Sequence, residues 1–185
     1  MEAHTSFLGI PVEGDYNRGE KRVPQKPLEE LTALLQALID DPGIEWFEWT
    51  QYTPYFNDGE PCVFSIHENL AVKVTPESRA AKTASYDDHG ALVEDDGDWD
   101  DDDISDGVEY NKSLGKRDRK WDPRLKHYVN GEYEGPDEAR YDYCLALEKA
   151  LGSGAFNDDL LDLFGDHARV RVSRQKIQVE TYDHD

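Results

Sequence analysis

Cations are what this sequence is shortest of. Its 185 residues carry 20 Lys and Arg against 41 Asp and Glu, a formal net charge of −21. A surface of that sign repels the phosphates of nucleic acid and of anionic membranes, so the first expectation excludes both as direct partners. It favours basic proteins, or proteins whose own sites take up DNA or RNA. Cysteine is nearly missing as well. Cys62 and Cys144 are too few for a disulfide framework and fit a reducing compartment. No apolar run approaches the roughly 20 residues that span a bilayer. The opening MEAHTSFLGIPVEGDY has neither a basic region nor a long apolar stretch, so no signal peptide is expected. These absences together predict a cytoplasmic protein.

The motifs of common chemistries are missing too. There is no P-loop, GxGxxG, GxSxG, CxxC or HExxH, so no cofactor, metal or catalytic residue is assigned. His89, His127, His167 and His184 have no metal-ligand spacing. An EF-hand register fails at either candidate glycine: Gly97 would put Leu92 first, and Gly107 would put Ile104 third. Cys62 and His67 sit five apart, which on one strand turns them to opposite faces and makes Cys62 read as a small core residue.

What is present reads as one domain, residues 1–185, of the α+β class. Pro27 opens a helix whose Leu28, Leu31, Leu34, Leu35, Leu38 and Ile39 share a face. Asp41-Pro42-Gly43 ends it. From Ile44 to Val74 the pattern predicts a three-stranded meander: Ile44 to Tyr52, Cys62 to His67, and Leu70 to Val74. A second helix starts at Pro136-Asp137-Glu138, with Ala139, Tyr143, Ala146, Leu147, Ala150 and Leu151 as its expected buried face. A short helix follows Asn157 and closes at Gly165. Ala168 to Tyr182 reads as a C-terminal hairpin. The sum is an antiparallel sheet of about five strands, the meander plus the hairpin, with helices packed on one face.

Charge divides the chain into blocks. The formal balance is −7 over 1–85, −12 over 86–110, +3 over 111–135 and −5 over 136–185. The densest acid, EDDGDWDDDDISD, offers no core, so 86–110 is expected to be a flexible acidic insertion. The block after it, 111–135, is basic, and its segment 112–126, with Trp121 inside it, is the one local candidate for phosphate contact. The acid immediately before it argues against that contact, and no direct nucleic-acid binding is predicted.

Trp49-Thr50-Gln51-Tyr52-Thr53-Pro54-Tyr55-Phe56-Asn57-Asp58-Gly59, with Gly165-Asp166-His167 and Tyr182-Asp183-His184-Asp185, resembles a family of uncharacterised bacteriophage and bacterial proteins. The resemblance covers the sheet and the C-terminal hairpin and carries no assigned chemistry. It implies a phage-type accessory protein.

Two functional expectations follow. The first is a non-enzymatic acidic binding protein, a nucleic-acid mimic that inhibits a DNA- or RNA-binding host or defence protein. Its partner-binding residues are Asp95, Asp96, Asp98, Asp100, Asp101, Asp102 and Asp103, with Glu45, Glu48, Asp158, Asp159 and Asp162 as the ordered acids. The second is a hydrolase-like enzyme with a carboxylate or histidine site on the central sheet, drawn from Asp166, His167 and the terminal Asp183-His184-Asp185. A mimic needs ordered acidic rows on an exposed face; an enzyme needs converging polar groups in a concave site.

Overall fold

The computed structural model describes residues 6–7, 10–11, 23–56, 62–67, 70–79, 85–86, 92–93, 108 and 111–183. The chain is α+β, as its patterning predicts. Helix α1 (Leu28–Asp40) starts one residue after Pro27, whose missing N–H costs nothing there. It buries Leu31 and Leu38 and leads through Gly43 into β3 (Ile44–Tyr52), the longest strand of the main sheet. Alternation along β3 sends Phe47, Trp49 and Gln51 into the core and leaves Trp46, Glu48, Thr50 and Tyr52 half-buried on the other face. Strand β10 (Ala168–Ser173) lies antiparallel beside β3, with Val172 opposite Phe47 and Val170 opposite Trp49. Strand β11 (Ile177–Thr181) completes the C-terminal hairpin and one edge of the sheet.

The other edge departs from a meander. Strands β4 (Ser65–Ile66) and β5 (Ala71–Val74) both pair with β3, β4 at its end and β5 at its start. They run in succession along one side of β3. Nine residues of β3 are long enough to take both, so no third position in the sheet is needed. Cys62 is exposed and outside β4, which corrects its reading as a core residue.

Helices α1, α2 (Glu138–Gly152) and α3 (Asn157–Phe164) cover the Phe47, Trp49 and Gln51 face. Asp137 caps α2 by accepting the Arg140 N–H at 2.9 Å. The buried stripe of α2 is Arg140, Tyr141, Cys144, Leu147 and Leu151, not the stripe that includes Ala139 and Ala146, which are exposed. The difference is one of rotation. Arg140 goes inward because Asp41 waits for it, at 2.7 Å from Nε to Oδ2. An apolar-only pattern cannot see a buried cation that brings its own counter-charge.

The expectation that 86–110 contributes nothing to a core fails at one residue. Val108 is fully buried, and its N–H donates to Glu148 Oε1 at 2.9 Å, the same carboxylate oxygen that accepts from the Leu70 N–H. Asn111 follows, buried, and donates to the Val72 carbonyl at 2.7 Å. The chain then forms a separate hairpin, β8 (Lys116–Asp122) with β9 (His127–Glu134). Short pairs β1 (Ser6–Phe7) with β2 (Ile10–Pro11) and β6 (Ser85–Tyr86) with β7 (Leu92–Val93) complete the described strands. Among the described residues no helix is long and apolar enough to cross a membrane.

Candidate functional site

Of the acids expected to meet a partner, Asp95, Asp96, Asp98, Asp100, Asp101, Asp102 and Asp103 lie outside the described residues. The ordered five are dispersed. Glu45 is exposed at the start of β3. Glu48 is half-buried and accepts from Arg171 Nε at 2.7 Å, so its charge is already answered within the sheet. Asp158 and Asp162 are exposed on α3, and Asp159 is half-buried beside them. Two of these, Asp158 and Asp159, sit in the first turn of α3, where the helix dipole favours carboxylates. Helix α3 packs against the end of β3, since Gln51 donates to the Leu160 carbonyl at 3.1 Å. Six strand residues, about 20 Å, therefore separate Glu45 from the α3 acids. They form no single row.

A different constellation does assemble, on the outer face where β3 ends. Gly165 and His167 both have positive φ, +82° and +53°, and turn the chain from α3 into β10. The Asp166 carboxylate in this turn accepts from the Thr53 N–H at 2.7 Å and from the His167 N–H at 2.8 Å. Burial pushes this carboxyl up, but hydrogen bonds from Thr53 and His167 outweigh it and hold Asp166 below the usual carboxylate range. The Tyr182 N–H donates to the His167 carbonyl at 2.7 Å. Three stretches distant in sequence, 49–55, 165–167 and 182, are thus stitched together.

The side chains there stack. The His67 and Tyr52 rings lie 3.8 Å apart at 10°, Tyr52 and His167 6.2 Å apart at 23°, and His167 and Tyr55 4.7 Å apart at 18°. Tyr182 leans on Tyr52 at 5.5 Å, with the Arg169 guanidinium 5.6 Å from its own ring. Burial, then the neighbouring Tyr182, pushes the Tyr52 phenol up. His167 Nε2 is 3.9 Å from Asp166 Oδ1, too long for an oriented hydrogen bond. The column therefore offers two imidazoles and three phenols for binding or proton transfer, with Asp166 committed to the backbone. No family model, curated protein or solved structure matches the chain.

Sequence reading set Tyr52, Tyr55, Asp166, His167 and Tyr182 side by side only as parts of one resemblance, and it did not place His67 with them. Strand alternation was the available signal: Tyr52 and Ser65 are cross-strand partners, which brings His67 close to the end of β3. His184 and Asp185 lie outside the described residues. Among the described residues, no group of three or more His, Cys, Asp or Glu is arranged to hold a metal ion.

The aromatic residues of 46–64 divide by face. Phe47 and Trp49 are core, Trp49 edge-on to Phe164 at 5.9 Å. Trp46 lies under the Arg171 guanidinium at 4.2 Å, a cation–π contact on the outer face. Tyr55 and Phe56 are exposed.

Proposed function

We propose that this is a non-enzymatic binding protein that acts as a nucleic-acid mimic on a basic, DNA- or RNA-binding partner. What supports the reading is where the cations go. Arg140 is spent on Asp41, Arg171 on Glu48, and Arg117 on Glu138 and Asp142. Arg174 is spent on the carbonyls of Ile39, Asp41 and Ile44. Lys26 pairs with Glu30, and Lys116 with Glu134. These pairings leave the formal net charge at −21, and a field of that sign steers basic partners at long range. Asp158, Asp159 and Asp162 on α3 and the 95–103 acids are the surface we assign to the partner; Glu48, answered by Arg171, is withdrawn from it, and Glu45 lies apart at the far end of β3. A phage-type inhibitor of a host or defence protein is the instance we put forward.

The test is release from nucleic acid. Cell lysate is loaded on immobilised DNA or RNA, and the protein is added at low salt. A mimic releases a defined nucleic-acid-binding protein; reversal of Asp100, Asp101, Asp102 and Asp103 to Lys, or of Asp158 and Asp162, abolishes release. Release that is insensitive to salt and to both reversals would sink the reading.

A second reading, a hydrolase-like acid–base site, is favoured by one observation: two imidazoles flank the Tyr52 phenol in a single ring column. His67→Gln and His167→Gln each abolish turnover under this reading, and a hydrolase substrate panel on the native protein checks it.

A further inference from the structure

The β8–β9 hairpin carries exposed rings and cations together beyond the Arg117 contacts that fix its base. Every residue from 118 to 128 except Asp122 is exposed. Trp121 is 53% exposed, Leu125 57% and Tyr128 63%. Register places Trp121 opposite Tyr128 and Arg119 opposite Asn130, so all four share one face. The two rings meet edge to face at 5.3 Å and 68°. Lys120 lies on the other face, opposite Val129. Between residues 119 and 128 there are four cations, Arg119, Lys120, Arg124 and Lys126, against one acid, Asp122.

That acid builds the turn. Asp122 Oδ1 accepts from the Arg124 N–H at 2.8 Å and the Leu125 N–H at 3.3 Å, and the Asp122 carbonyl accepts from the Lys126 N–H at 2.8 Å. The base is equally fixed. Arg117 bridges to Glu138 and Asp142 of α2, and the Tyr133 hydroxyl donates to the Leu114 carbonyl at 2.7 Å. A held base and a closed turn fix the backbone that presents the rings and cations, so backbone ordering adds little to the cost of binding.

We infer that this hairpin is a binding platform for single-stranded nucleic acid. Exposed rings offer stacking faces to unpaired bases, and Arg and Lys beside them meet the phosphates between those bases. A duplex keeps its base faces stacked inside and offers the rings nothing. An acidic peptide matches the cations and leaves Trp121 and Tyr128 unused. The chain's overall charge opposes a polyanion, and the first expectation excluded it on that ground. Geometry changes the balance: seven residues of β8 carry the turn about 20 Å from the hairpin base. That is more than two screening lengths, at about 8 Å each in physiological salt. Over that distance the charges at the hairpin base are screened from the tip. This inference does not rest on the mimic reading, because it concerns the protein alone with a nucleic-acid strand.

The experiment is fluorescence anisotropy of a labelled oligonucleotide of about 15 nucleotides, long enough for several stacked bases, titrated with the full chain. DNA and RNA arms are run alongside a duplex, a polyglutamate chain and anionic lipid vesicles. Binding of either strand is expected to weaken with salt, with a log–log slope of roughly −2 for about three neutralised phosphates. Trp121→Ala and Tyr128→Ala should each weaken it about tenfold, and Trp121→Phe should restore most of the loss. Lys120→Glu with Arg124→Glu should flatten the salt slope. An unchanged thermal midpoint shows that each variant is folded; all of these residues are exposed. No binding at low salt overturns the inference. So does equal binding of the ring variants, or tighter binding of duplex, polyglutamate or vesicles, which reassigns the tip to a different partner.

Discussion

Arg140 reaches Asp41 across 99 residues of sequence and grips it with two hydrogen bonds, Nε to Oδ2 at 2.7 Å and Nη2 to Oδ1 at 2.9 Å. The side chains are 10% and 8% exposed. This pair ties α2 to the junction where α1 gives way to β3. The Tyr143 hydroxyl donates to the same carboxylate, and the Gly43 N–H caps it from below at 2.7 Å. A Cβ on Gly43 would overlap the Arg140 guanidinium, so the glycine is the space through which the arginine passes.

Breaking that pair from one side should be costly, because it strands a charge. Arg140→Ala is expected to destabilise the fold by about 3–5 kcal/mol, and Gly43→Ala to displace the guanidinium. Burial raises the Asp41 carboxyl, but the Arg140 hydrogen bond, the Gly43 N–H and the charges of Arg140 and Arg174 hold it below its ordinary value. A carboxyl lowered on folding contributes stability that is complete above the unfolded value, about 3.9, and lost as pH falls through the folded one. Urea melts across the acid range should therefore show a shallower acid limb in Arg140→Ala. An identical limb would remove Asp41 from the acid sensitivity.

Gln51 is fully buried and uses its amide completely. It accepts from Trp49 Nε1 at 3.1 Å and donates to the carbonyls of Leu160 and Gly165 at 3.1 and 2.6 Å. Gln51→Leu leaves one donor and two acceptors without partners and should cost at least about 3 kcal/mol. Gln51→Glu should be worse at neutral pH, since a carboxylate cannot donate to carbonyls. Facing them raises its folded pKa, so its stability should recover as pH falls. Thermal midpoints taken down the acid range check the sign.

The two thiols should separate cleanly. Cys62 is exposed, and Cys144 has no exposed surface. Burial, reinforced by the nearby Asp41 charge, pushes the Cys144 thiol far above its ordinary value, which removes the reactive thiolate. A disulfide-exchange reagent should label one thiol in the native protein and two in denaturant, with Cys62→Ser abolishing the native signal. Rapid native labelling of Cys144 would contradict the packing of α2.

Val108 marks where the acidic block meets the core. Val108→Ala should cost about 2 kcal/mol. Deletion of 94–106, which spares Val108 and its hydrogen bond to Glu148, should leave the thermal midpoint nearly unchanged. A large loss on deletion would give the acidic block a structural role beyond that anchor.

Sequence alone determined the elements of this protein and its charge economy. Leucine periodicity marked α1, alternation marked β3, β10 and β11, and Gly165 marked the end of α3. These are local rules, satisfied within a few residues of where they are read. The tertiary structure decided everything that depends on a distant partner. It laid β4 and β5 along one edge of β3, turned α2 so that Arg140 could meet Asp41, and buried Val108 against the α2 helix. It also gathered His67, His167, Tyr52, Tyr55 and Tyr182 into one column and raised the basic stretch into a hairpin with exposed rings. Each of these is set by pairing and burial between residues far apart in the chain, and a hydrophobic or charge pattern along one segment carries no record of which partner will face it.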